Sequence, residues 1–132
     1  MHRVPLVDIM DETFLAVPPK SIAAALADPT AWQRFWPDLE LAVYLDRGDQ
    51  GLRWTVTGAL VGTMEVWLEP LLDGTVLHYF LRADPPAGER ASHRRRRREA
   101  PRRRLDAKDV AFALKRSLED GRAAGVAPTI TA

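Results

Sequence analysis

The chain of 132 residues contains no cysteine. Disulfides, thiol nucleophiles, iron–sulfur clusters and thiolate zinc sites are therefore excluded. Histidine is scarce: His2, His78 and His93 are too scattered for a recognisable metal triad. No apolar run approaches the roughly 18 residues that cross a bilayer. Asp8, Asp11 and Glu12 interrupt any signal-peptide core near the start. A Gly-rich phosphate loop, G-x-S-x-G and H-E-x-x-H are all missing, and so is a repeat of roughly 20–50 residues. These absences give an expectation of no metal, no cofactor and a cytoplasmic location.

What is present describes a globular protein. Hydrophobic residues make up 46% and charged residues 28%, a balance that supports a core rather than disorder. Residues 1–132 read as one domain. Residues 1–87 form its strand–helix–helix–meander part, 88–122 an Arg-rich entry and helix, and 123–132 a flexible tail. The formal net charge is +1, but it is unevenly placed. Residues 1–87 carry 6 basic and 12 acidic side chains, a balance of −6; residues 88–132 carry 13 and 6, a balance of +7.

Periodicity supplies the elements. Residues 4–17, VPLVDIMDETFLAV, read as a strand ended by Pro18-Pro19. KSIAAALAD reads as a helix with Pro19 in its first turn. Asp28 caps a second short helix that carries Trp32, Phe35 and Trp36. Four strands follow: LELAVYLD, GLRWTVTG, TMEVWLEP and TVLHYFLRAD, with Asp73-Gly74 as a hairpin signal. In the third of these, Met64, Val66 and Leu68 share one face and Glu65, Trp67 and Glu69 the other; either set suits the interior. After a break at Pro85-Pro86-Ala87-Gly88, Ala107, Val110, Ala111, Leu114 and Leu118 form a helical stripe. Asp106 is its expected N-cap and Gly121 its C′ residue, or else a longer helix passes through Pro101 with a kink.

Two stretches carry a family resemblance. VDIMDETFLAVPPKSIAAALADPTAWQRFWPDL has Asp28-Pro29, Trp32 and Trp36-Pro37, and GTMEVWLEPLLDGTVLHYFLR has the E-P-x-x-D-G-T hairpin. Together they resemble the START/SRPBCC superfamily of polyketide cyclase/dehydrase and lipid-transport proteins, in its actinobacterial texture. The resemblance implies an α+β helix-grip fold, an antiparallel sheet wrapped against a long C-terminal helix. The superfamily sheet has seven strands, whereas this chain has room for about five at the usual strand length. A shortened sheet leaves an open groove or an edge that pairs with a second chain as a homodimer.

The resemblance also implies a cavity between sheet and C-terminal helix. Its candidate lining is Trp54, Val56, Trp67, Leu77, Tyr79 and Leu114, with Trp32 and Trp36 near the entrance; the same residues read equally as plain core. The favoured function is binding or carriage of a hydrophobic small molecule, lipid or polyketide-like, without chemistry. An alternative is an aromatase/cyclase-type enzyme with Glu65, His78 or Tyr79 as acid–base groups and Arg53 beside them. A further alternative uses the Arg tract. Arg94, Arg95, Arg96, Arg97, Arg98, Arg102, Arg103 and Arg104 would meet an anionic membrane surface, making the protein peripheral at its inner face, or an acidic partner. Nucleic acid is disfavoured, because no aromatics interleave the arginines and no helix-turn-helix pattern exists. The bland reading of the tract is a solvated face balanced by the acidic part of the chain.

Overall fold

The computed structural model describes residues 4–86 and 93–119. In chain order the elements are β1 (Val7–Leu15), α1 (Pro19–Leu26), α2 (Pro29–Phe35), β2 (Leu39–Asp46), β3 (Gly51–Gly58), β4 (Val61–Leu71), β5 (Gly74–Asp84) and α3 (His93–Glu119). The five strands form one antiparallel sheet in the order β1-β5-β4-β3-β2. The helices α1 and α2 follow β1, and α3 packs on the sheet, so the expected α+β helix-grip architecture is the observed one.

β1 alternates as a half-buried strand should. Val7, Ile9, Thr13 and Leu15 point inward and Met10 and Glu12 outward. It is shorter than the expected 4–17, because both flanks find other partners. The Leu6 amide donates to Asp84 Oδ1 at 2.8 Å. The Ala16 amide donates to Glu119 Oε2 at 3.1 Å, and the Val17 carbonyl accepts from the Thr75 hydroxyl at 2.8 Å. In α1, Ile22 and Leu26 lie four apart and both are buried. Asp28 caps α2 by accepting from the Thr30 amide at 3.0 Å, with Pro29 at the first position.

The meander settles the facing of β4. Met64, Val66 and Leu68 are buried against the core, which turns Trp67 to the outer face of the sheet. Leu52, Trp54 and Val56 of β3 share the inner face. Gly51 opens β3 at φ +129°, and a Cβ there would strike the Val66 carbonyl across the strand pair. The β4–β5 loop is Leu72-Asp73, one residue earlier than the Asp73-Gly74 signal suggests, since Leu71 pairs with Gly74. Crowding explains the shift. Gly74 lies inside the ladder, where a Cβ would meet the Leu15 carbonyl and the Phe14 ring. The cost falls on Leu72, held at φ 55° with its side chain 93% exposed.

α3 starts at His93, and Asp106 is therefore inside the helix and not its N-cap. Pro101 sits within the helix on its exposed side, where the carbonyl left without a partner can be hydrated. The stripe Ala107, Val110, Ala111 and Leu114 faces the core as expected. Gly121, the segment 123–132 and the Ala87-Gly88 half of the break lie outside the described residues.

Three basic side chains fix α3 in place. Lys108 Nζ donates to the Glu12 carbonyl and to Thr13 Oγ1, both at 3.1 Å, and pairs with Asp11 at 3.0 Å. Lys115 Nζ donates to the Phe14 carbonyl at 2.9 Å. Together they cap backbone groups of edge strand β1, which an exposed edge would otherwise offer to another chain. Arg103 is the third. It is only 2% exposed, and is therefore an internal residue rather than the surface contact that its place in the Arg tract suggests. Its fork grips Asp38 at 2.7 and 3.1 Å, and its Nε donates to Glu99 at 2.9 Å. Arg102, exposed, adds a second contact to Asp38 at 3.0 Å. At the other edge β2 exposes Val43, Tyr44 and Leu45, and a bulge between Val43 and Leu45 interrupts the regular ladder a second copy would extend.

Burial alone would raise the Asp38 carboxyl, but the hydrogen bonds and charges of Arg103 and Arg102 outweigh it and hold it below its ordinary value. A lowered carboxyl stabilises the fold above its unfolded value of about 4, and the gain is lost as pH falls through the folded value. Asp106 acts in the opposite sense, since burial raises its carboxyl despite Arg103 and Arg102. Asp38→Ala leaves the Arg103 charge buried with one partner gone and is expected to cost about 3 kcal/mol in urea unfolding. Arg103→Met leaves no stranded cation and should cost less. Melting followed from neutral to acid pH should show a smaller loss for Asp38→Asn than for the parent. Leu72→Gly relieves the left-handed loop position and should raise stability by about 1 kcal/mol, seen as a higher melting temperature.

Candidate functional site

The site is built where α2, the inner face of the sheet and α3 converge. The short α2 delivers Trp32 from its fourth position and Trp36 from its C-cap. Trp32 Nε1 donates to the Leu26 carbonyl at 2.7 Å, which ties α2 to the end of α1. Trp32 meets Trp54 of β3 edge-on, with centroids 5.7 Å apart and planes at 82°. Trp36 stacks on Tyr79 of β5 at 6.1 Å with planes 5° apart, and it also touches Trp54 at 6.1 Å. Both arrangements are ones that aromatic quadrupoles favour.

This aromatic cluster fills most of the space between sheet and helix. A void of about 10 Å³ is left, bounded by Trp36, Leu77 and Tyr79 on one side and Ala107, Ala111 and Leu114 of α3 on the other. That is room for about one water. Two polar atoms in the cluster form no full hydrogen bond with the described residues: Nε1 of Trp36 and Nε1 of Trp54, on side chains 1% and 0% exposed. An unmet buried donor costs roughly 1–3 kcal/mol. The Tyr79 hydroxyl donates to Met64 Sδ at 3.3 Å. Burial pushes this phenol far above its ordinary value, outweighing the opposing charge of Arg103, so it stays protonated.

Of the expected lining, Trp32, Trp36, Trp54, Val56, Leu77, Tyr79 and Leu114 lie on the inner side. Trp67 does not. It is 37% exposed on the outer face, where its ring stacks on His78 at 4.3 Å. His78 is buried there between Glu69, at 3.1 Å from Nε2, and Glu12, at 3.3 Å from Nδ1. Glu65 is also on the outer face, paired with Arg53 at 2.7 Å. The sheet thus separates the expected acid–base groups: Glu65 and His78 stand on one side and Tyr79 on the other. No pair of them can reach one substrate in the interior.

The Arg tract is divided as well. Arg103 is internal and Arg102 is paired, while Arg96, Arg97, Arg98 and Arg104 are exposed. The side chains of Arg94 and Arg95 lie outside the described residues. Sequence reasoning missed the Asp38–Arg103–Glu99 cluster. The four-residue spacing of Glu99 and Arg103 was a legible signal; Asp38, 65 residues away from Arg103, was not. Among the described residues no group of three or more His, Asp or Glu could hold a metal ion, and no helix is long and apolar enough to cross a membrane.

No family model and no curated protein matches the sequence. Solved structures do match the fold. The Aha1 dimer from Colwellia psychrerythraea superimposes with a TM-score of 0.63 at 13% identity, over 89% of this chain and 99% of that one. The di-domain ARO/CYC StfQ from the steffimycin biosynthetic pathway gives 0.62 at 16% identity, over 91% of this chain and 52% of that one. The Polyketide_cyc-like protein Cgl2372 from Corynebacterium glutamicum gives 0.56 at 22% identity, over 90% and 94%. The chain shares the fold of these structures, a helix-grip arrangement that is built here on a five-stranded sheet.

Proposed function

We propose that the protein binds a small apolar molecule bearing a hydrogen-bond acceptor between the sheet and α3, and performs no chemistry on it. The observation that carries this reading is the pair of indole N–H groups on Trp54 and Trp36, buried in an otherwise apolar cluster, the first without a partner among the described residues and the second with only the Tyr79 hydroxyl to interact with. A carbonyl or hydroxyl oxygen on a ligand would satisfy a donor that the protein leaves unmet. The walls are apolar with few polar groups, as ligand pockets generally are. Structures of the same fold include a protein named as an ARO/CYC and one named Polyketide_cyc-like.

The closed seam has a void of only about 10 Å³, so entry requires α3 to part from the sheet. The contact surface of α3 suits this. Ala107 and Ala111 bury little area, and Val110 and Leu114 supply most of the apolar gain, about 1.5–3 kcal/mol each. The remaining ties are polar and run along the contact: Arg103 to Asp38, Lys108 to Asp11, Thr13 and the Glu12 carbonyl, and Lys115 to the Phe14 carbonyl. An enzyme reading gains no support, because of the three candidate acid–base groups only Tyr79 faces the interior, while Glu65 and His78 stand on the outer face in ion pairs of their own.

Titration with dodecanoic acid should change the tryptophan fluorescence, and dodecane at matched concentration should bind more weakly. Trp36→Phe removes one of these donors. It should leave the stability of the free protein nearly unchanged or higher, and weaken dodecanoic acid binding by up to about tenfold. The reading fails if native mass spectrometry of the purified protein shows no bound species and neither probe alters fluorescence. It also fails if amide exchange in α3 is as slow as global unfolding requires, since α3 would then never part from the sheet.

A further inference from the structure

We propose that the outward side of α3 is a docking surface for an anionic lipid bilayer. Arg103, Ala107, Val110, Ala111 and Leu114 are buried and mark the inner side of the helix. At about 100° per residue, Arg98, Leu105 and Phe112 line up on the opposite side, seven residues apart. Pro101, Asp109 and Arg116 fall within about 40° of that line, and Arg97 and Arg104 lie about 80–100° to one side of it. Leu105 is 69% and Phe112 45% exposed. These are large apolar side chains left in water in the middle of a basic helix face.

The structure divides the arginines by duty. Arg102 and Arg103 are committed to Asp38 and Glu99. Arg97, Arg98, Arg104 and Arg116 are exposed and form no ion pair with any described residue. Asp109 is the exposed acidic residue on this side. Lys108 reaches to Asp11 on β1, with its Nζ 5.9 Å from the Phe112 ring centroid. The carboxylates of the outer sheet face, Asp8, Glu12, Glu65 and Glu69, stand behind the sheet and away from the stripe. Four arginines without an ion pair to any described residue thus share the exposed sides of α3 with two large apolar side chains.

That combination fits a bilayer surface better than a nucleic acid. Phosphate tracks reward the arginines alone, and Leu105 and Phe112 would gain nothing against a sugar–phosphate backbone. The boundary of headgroups and acyl chains accepts both, with the helix lying flat and its apolar residues sunk among the chains. The proposal stands apart from ligand binding, because it uses the side of α3 that faces away from the sheet.

Co-sedimentation with vesicles tests it without any ligand present. The protein should pellet with phosphatidylcholine vesicles containing phosphatidylglycerol, should stay in solution with phosphatidylcholine alone, and should be released as salt rises. Each of Arg97→Gln, Arg98→Gln, Arg104→Gln and Arg116→Gln should weaken binding about fivefold. Leu105→Ser should weaken it too, and should leave the salt dependence unchanged. Arg82→Gln, across the sheet beside Asp8, should have no effect, and circular dichroism should show every variant folded. Trp36→Phe should bind vesicles like the parent, which separates this surface from the interior site. Equal binding to neutral vesicles, no binding to either, or tighter salt-sensitive binding to a nucleic acid duplex would overturn the proposal.

Discussion

Arg103 sits almost out of reach of water with carboxylates of Asp38, Glu99 and Asp106 about it. A guanidinium in that position is tolerable only if its fork is fully matched, because its desolvation is otherwise too costly. The match is with Asp38, which follows directly on the Trp36-Pro37 corner. One ion pair therefore sets the distance between the end of α2 and the middle of α3. Tryptophan packing, the placing of the alanine stripe over Tyr79 and the width of the seam all follow from that distance. The carboxyl of Asp38 is held ionised by the same contact, so the pin is weakest in acid.

The sheet divides the molecule into two chemical compartments. Its inner face is apolar and aromatic, and the one phenol there is kept neutral by burial. Its outer face is charged, with Glu65 on Arg53 and His78 between two carboxylates. Acid–base chemistry needs two groups on one side of a partition, within hydrogen-bond reach of one substrate. The alternation of β4 and β5 forbids this for Glu65 and Tyr79 as surely as a wall would. Binding needs only the inner compartment, and the two buried indole donors are the polar handle it offers.

The split of charge between the two parts of the chain has a similar resolution. Acidic residues of the first part meet basic residues of α3 in space: Asp38 with Arg102 and Arg103, and Asp11 with Lys108. Pairing across the fold absorbs part of the positive excess and closes the β1 edge at the same time. Arg97, Arg98, Arg104 and Arg116 are left exposed on α3, so charge that looked like one tract in the sequence is divided between internal pairing and the surface.

The sequence by itself determined the α+β order, the number of strands, the N-cap of α2 and the apolar faces of β3 and α3. These are local matters, written in periods of two and 3.6 and in the placing of Pro, Asp and Gly. It did not determine the facing of β4, since Val66 and Trp67 serve either interior equally well by composition. Only pairing with β3 and β5 decided between them. The Leu72-Asp73 loop was decided the same way, by crowding of Gly74 against β1. The start of α3 before Pro101 was decided by solvent on that side of the helix. Arg103 read as one more surface arginine because its neighbours in sequence are arginines. Its partner is 65 residues distant, and burial of a charge is a property of the space around it, which no stretch of sequence contains.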